Sequence, residues 1–232
     1  MEDLSRVYFS SASFEPVAAR PPEKRPAPVG TSGPAAFVTV ANAAGGRGES
    51  FLHELRLLLS GRGHSSFQVR GVGGGYRVDG EPGAPLSPAA LLDRIRGGSG
   101  PSILFLMLAE EEGADDPALL RSGDASLLLA GPEIQDLRRA YARLRGAIRG
   151  GGGTVPAIVP VDGSDAWTRI APLRLAEAAT RFLGIRVPVW GGGDAAEAAR
   201  LVAGRLKGVG ERKEHGSEPL ARRLMAVIGG AP

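Results

Sequence analysis

The 232-residue chain has no cysteine and only three lysines, Lys24, Lys207 and Lys213. Without cysteine there are no disulfides, no cysteine-ligated zinc and no thiol catalysis. Without lysine between positions 25 and 206, arginine supplies nearly all positive charge there. The three histidines, His53, His64 and His215, are too scattered for a familiar zinc motif. Long hydrophobic runs are missing too. The longest strongly apolar stretch, Ile103 to Ala109, is far short of the ~20 residues that span a bilayer. The start Met1-Glu2-Asp3 leads into no apolar segment of the kind that targets secretion, so the expectation is a cytoplasmic protein. What is abundant is glycine, 35 residues, with 18 prolines, roughly twice the usual share of the two together. Beside 43% hydrophobic residues, this composition implies a folded domain with glycine-rich loops and some extended chain.

Net charge is 28 − 25 = +3. Residues 1–34 sum to 0, residues 35–206 to +1 and residues 207–232 to +2. So even a distribution predicts no basic face and argues against a dedicated nucleic-acid binder, which clusters its cations.

Three segments follow from composition. Residues 1–34 form a flexible tail whose proline-rich end, ARPPEKRPAPVGTSGP, tethers a short aromatic stretch containing Tyr8, Phe9 and Phe14. Those aromatics are candidates for docking to a protein partner, or for covering the domain as a strand or loop. Residues 35–206 alternate short apolar runs with helical patterns. Strands are predicted at 36–41, 66–72, 102–108, 125–130, 155–161 and 185–189, and helices at 50–60, 87–96, 115–122, 132–149, 172–183 and 194–206. In the helix at 132–149, Pro132 suits the first turn, and Ile134, Leu137, Tyr141, Leu144 and Ile148 form one apolar stripe. The alternation implies α/β architecture: a three-layer, doubly wound, mostly parallel sheet. Residues 207–232 are a polar link followed by a short amphipathic helix over 218–228, with Leu220, Leu224, Val227 and Ile228 on its stripe and Arg222 and Arg223 beside it.

The loop after the first strand draws the functional reading. AFVTVA runs into Ala43-Ala44-Gly45-Gly46-Arg47-Gly48-Glu49-Ser50 and then the apolar pattern FLHELRLLL. A glycine loop that enters a helix at the carboxyl end of a strand is where α/β proteins present backbone N–H groups to phosphate. It is not a dinucleotide fingerprint, because position 51 is Phe where a third glycine is needed; Gly71-Val72-Gly73-Gly74-Gly75 fails likewise at Tyr76. The loop does resemble the deviant P-loop of the MinD/ParA ATPases, G-K-G-G-x-G-K-[ST], with Gly45, Gly46, Gly48 and Ser50 matching. Ala43 stands for the first glycine, Ala44 for the lysine that crosses the family's dimer interface, and Glu49 for the lysine that holds the β- and γ-phosphates. Similar order and spacing extend over roughly residues 36–206: SLLLAGPEIQDLRRAYARLRGAI looks like the family's strand, Pro-containing loop and helix. TVPAIVPV sits where the family ends a strand in an adenine-reading Asn, a place taken by Pro160, and LAEAATRFLGIRVPVWG is similar to the flagellar-number regulators of the MinD branch.

The resemblance implies a P-loop-like fold but a damaged site. FQVRGVGGG has no acid where the family coordinates water or Mg²⁺, and SILFLMLA has none within it; Glu110, Glu111, Glu112, Asp115 and Asp116 follow, as a solvated loop or a divalent-cation site. Phosphoryl transfer on a P-loop depends on its lysine and metal ligands. The expectation is therefore a catalytically inactive MinD/ParA-like pseudo-ATPase without nucleotide or metal cofactor. Gly45, Gly46, Arg47, Gly48, Glu49 and Ser50 would be a vestigial nucleotide loop. Such a protein would be regulatory or scaffolding, in a membrane-associated bacterial system such as flagellar placement, secretion or polysaccharide export. Its partner would be a protein, such as an active paralogous ATPase, and a homo- or heterodimer is open. The 218–228 stripe resembles the C-terminal helix by which MinD-type proteins touch membranes; docking on its own domain or on a partner is the other reading. Two alternatives stand beside this: an active ATPase or tyrosine-kinase-like enzyme of the same clan with Arg47 replacing lysine, and a small-molecule binding domain unrelated to P-loop proteins.

Overall fold

The structure is a computed structural model that describes residues 36–72, 75–97, 103–108, 120–150, 153–161 and 166–191, with Ala196, Glu197, Arg200, Ala203 and Gly204 beyond them. The tail with Tyr8, Phe9 and Phe14, the acidic run 110–116 and the 218–228 stripe lie outside the described residues.

Six strands form one sheet: β1 (Ala36–Asn42), β2 (Ser66–Val72), β3 (Gly75–Val78), β4 (Ile103–Met107), β5 (Ala125–Ala130) and β6 (Ala157–Pro160). Their order is β3-β2-β4-β1-β5-β6. All neighbours pair parallel except β2 and β3. Four helices complete the described architecture: α1 (Gly46–Ser60), α2 (Pro88–Gly97), α3 (Ile134–Arg149) and α4 (Ala166–Leu183). This is a mixed α/β fold compatible with a Rossmann-like or P-loop-like sheet.

β1, β4 and β5 are buried along their whole length, as expected of parallel strands with both faces covered. The two-residue period of a strand divides their side chains between two cores. Ala36, Val38 and Val40 of β1, with Ile103, Phe105 and Leu127, meet Phe51, Leu52, Leu55 and Leu59 of α1. Phe37 and Ala41, with Leu104, Leu106 and Leu128, belong to a second cluster that takes in Leu91 of α2, Leu144 of α3 and Leu175 of α4. The one buried hydroxyl of β1, Thr39, donates to the Leu120 carbonyl at 2.7 Å and lies 3.0 Å from Ser126 Oγ.

The structure departs from the sequence reading at four places. The sequence reading placed no strand at 75–78, where β3 pairs antiparallel with β2 through Val72 with Gly75 and Gly71 with Tyr76. The expected strand at 185–189 reduces to a parallel bridge between Ile158 and Val189. Pro188 accepts from Ile158 N but has no N–H to return, which limits the ladder. In α3 the face against the sheet centres on Ala140, Leu144 and Ala147. The two alanines let the helix approach closely around Leu144, while Leu137, Tyr141 and Ile148 flank it half-buried and Ile134 is 65% exposed. Finally, α4 begins six residues before the expected 172 and runs through Pro172. The proline removes one internal hydrogen bond, yet it is buried, as are Ala171 and Leu175 of the same helix, so packing outweighs the lost bond.

Candidate functional site

The glycine loop follows β1, the strand flanked by β4 on one side and β5 on the other. The chain order reverses there, and in open α/β sheets the crevice beyond the carboxyl ends at such a point is the usual ligand position. Helix α1 starts at Gly46 rather than at residue 50, so Arg47, Gly48, Glu49 and Ser50 belong to its first turn and not to the loop.

Asn42, the last residue of β1, organises what remains of the loop. Its Nδ2 donates to the Gly45 carbonyl at 2.9 Å, and its Oδ1 accepts from Ala44 N at 3.1 Å. This is the local turn that Asn side chains favour. The Gly45 carbonyl also accepts from Gly48 N at 2.9 Å and Glu49 N at 3.3 Å. Gly45 itself has φ +59° and ψ −137°, a conformation essentially restricted to glycine. Gly48 faces the Asn42 amide so closely that a Cβ there would lie 2.6 Å from Asn42 Cγ. The interior of the loop is thus occupied by a side chain of the same loop, which takes one of its backbone donors. Ser50 Oγ turns back to the Gly46 carbonyl at 3.1 Å.

The charges flanking the loop are paired with each other. Arg70 of β2 donates through Nη2 to both Glu49 carboxylate oxygens, each at 2.9 Å. On the other side Arg47 donates to Glu133, which precedes α3, and stands 3.9 Å from Asp136 Oδ2. Asp136 is 2% exposed. Arg139 donates to its Oδ1 at 2.7 Å, while its Oδ2 rests against Gly131 without a hydrogen bond among the described residues. Ala43 N donates to the Leu129 carbonyl at 3.0 Å, so the loop is also fastened to the end of β5. Because Arg70 and Glu49 are 41% and 34% exposed, the Arg70→Ala variant should lose less than about 1 kcal/mol of stability. A chemical denaturation curve checks this, and a larger loss would mean that the pair holds α1 on the sheet.

The structure brings together the sequence-predicted Gly45, Gly46, Arg47, Gly48, Glu49 and Ser50, and adds Asn42, Arg70, Glu133 and Asp136. Asn42 carried a readable signal, a turn-forming side chain at the end of a strand before small residues. Arg70 carried none, since its meeting with Glu49 depends on how β2 sits beside α1. Pro160, at the place aligned with an adenine-reading residue, is buried at the end of β6. Among the described residues no group of three or more His, Asp or Glu is arranged to hold a metal ion, and no helix is long and apolar enough to cross a membrane.

No protein-family model matches the chain, and a search of curated proteins finds no match to it. What the fold defines is the class: an α/β domain with a mostly parallel six-stranded sheet and a glycine loop at the carboxyl end of its central strand.

Proposed function

We propose that the chain is a doubly wound, three-layer, P-loop-like domain, similar to a degenerate MinD/ParA ATPase, that has lost nucleotide turnover and serves as a regulatory or scaffolding protein. The layering is supported by the two core clusters, with α1 in one and α2, α3 and α4 in the other. The observation that carries the functional reading is the state of the loop. Where a P-loop presents a lysine to phosphate, this chain has Glu49, neutralised by Arg70. The loop interior is taken by the Asn42 amide. Arg47, the cation that could replace the lysine, is engaged by Glu133 and Asp136, which opposes the reading as an active ATPase or kinase.

A domain of this kind is kept for contacts. The proposed partner is a protein, such as an active paralogous ATPase, in a membrane-associated bacterial system, and the aromatic tail and the C-terminal stripe are the contacts that the sequence nominates. Titration calorimetry of the full chain with ATP and Mg²⁺, with phosphate release followed in parallel, tests the reading. The expected result is no heat at millimolar nucleotide and no turnover; micromolar binding with hydrolysis overturns it.

A further inference from the structure

Six large apolar side chains are conspicuously exposed among the described residues, and five of them lie on α3 and α4: Ile134 at 65%, Trp167 at 52%, Ile170 at 44%, Leu173 at 51% and Phe182 at 67%. The two helices pack into the same core cluster, so their outer sides face away from the sheet in one direction. Trp167 is anchored there, its indole N–H donating to the Pro132 carbonyl just before α3 at 2.9 Å. Trp167, Ile170 and Leu173 recur every three residues, which keeps them on one side of α4. A soluble surface ordinarily scatters such residues singly.

The same face is strongly cationic. α3 and α4 hold eight arginines against two carboxylates, Asp136 and Glu177, a net +6 in a chain whose total is +3. The rest of the chain therefore nets −3. Asp136 is buried against Arg139 and Glu177 pairs with Arg174 at 3.0 Å, so neither carboxylate offsets the remaining exposed arginines. Arg138, Arg145 and Arg149 are exposed along α3, and Arg169 and Arg181 along α4. Arg181 lies over the Phe182 ring, 5.3 Å from its centroid.

We propose that this α3–α4 face is a peripheral binding surface for an anionic phospholipid bilayer. Two helices side by side present a broad face rather than a groove. Arginines would meet the headgroups while Trp167, Ile170 and Leu173 enter the interfacial region, the combination by which interfacial helices hold to acidic membranes. Nucleic acid accounts for the arginines but leaves five exposed apolar side chains without a role. The surface shares no residue with the glycine loop except through Asp136, so it stands whether or not nucleotide binds.

The test uses the full chain and vesicles of phosphatidylglycerol and phosphatidylcholine, with phosphatidylcholine vesicles alone as the comparison, at low ionic strength. Flotation should recover the protein with the acidic vesicles only. In a Trp190→Phe background, Trp167 fluorescence should shift to the blue on binding. Arg138→Gln/Arg145→Gln/Arg149→Gln should weaken binding on the order of a hundredfold, about fivefold per arginine. Ile170→Ser/Leu173→Ser should abolish the blue shift, and a chain lacking residues 218–232 should still bind. Absence of binding by the intact chain overturns the proposal. So does binding that survives both sets of substitutions but is lost with residues 218–232, because the terminal segment would then be the contact. Binding of a duplex oligonucleotide that Ile170→Ser/Leu173→Ser leaves unchanged, with no binding to vesicles, would assign the face to nucleic acid instead.

Discussion

Gly48→Ala should destabilise the domain by roughly 1–3 kcal/mol, the usual cost of forcing an extra carbon into a packed site. Alanine's helix preference works in the other direction, by up to about 1 kcal/mol, since Gly48 lies in the first turn of α1. The overlap prevails because the atom in the way cannot simply swing aside. Asn42 is held at both ends of its amide, by Gly45 O and Ala44 N, and a Cβ on residue 48 would stand 2.6 Å from its Cγ. Asn42→Ala alone forfeits those two hydrogen bonds, about 1 kcal/mol each. The double variant should then cost clearly less than the two singles added together, because the first change has already vacated the space. Thermal unfolding of the four proteins measures this coupling; strict additivity would show that Asn42 does not fill the loop.

The second large effect concerns charge. Glu49→Lys combined with Asn42→Gly should bind ATP at least tenfold more tightly than either single variant, as read by calorimetry or a fluorescent nucleotide analogue. Two unit charges about 4 Å apart at an effective dielectric of about 20 interact by roughly 4 kcal/mol, so replacing repulsion by attraction near phosphate has a large ceiling. Partial exposure of residue 49 and the neighbouring Arg70 reduce the gain. Emptying the loop is the second requirement, since a phosphate and the Asn42 amide compete for the Ala44 N–H. No gain in the double variant would remove the case for a vestigial phosphate cradle.

These two variants separate causes that the sequence alone merges. Glu49 is visible in a string of residues as a wrong charge at a loop position. Its partner is not, because Arg70 lies 21 positions away and meets it only once β2 and α1 are placed side by side. Asp136 is a similar case. It reads as a polar residue between Gln135 and Leu137, and it is buried only because Gly131 leaves room for its carboxylate.

The charge distribution teaches a different lesson. Summed over residues 35–206 it is +1, from which no basic face is expected. That sum conceals a local excess: the residues of α3 and α4 carry +6, balanced elsewhere in the segment. Averaging over a whole domain hides a face, because a face is a property of a few helices. The exposed apolar residues were hidden for a related reason. Ile134 continues the apolar stripe of α3 in sequence, yet the packed face of the helix centres on Asp136, Ala140, Leu144 and Ala147, and Ile134, turned away from that face, is left in solvent.

The sequence by itself determined the kind of architecture and the position of its central loop. Continuous apolar runs can be buried on both faces of a parallel sheet and little else, so β1, β4 and β5 follow from composition and period. The scarcity of lysine and the acid at 49 likewise fixed what the loop lacks. Only the tertiary structure decided the strand order β3-β2-β4-β1-β5-β6, the closure of the loop by Asn42, and the pairing of Arg70 with Glu49 and of Arg47 with Glu133. The physical reason is range. Burial and backbone preference act on each residue through its near neighbours, whereas ion pairs and packed interiors join residues that folding alone brings together.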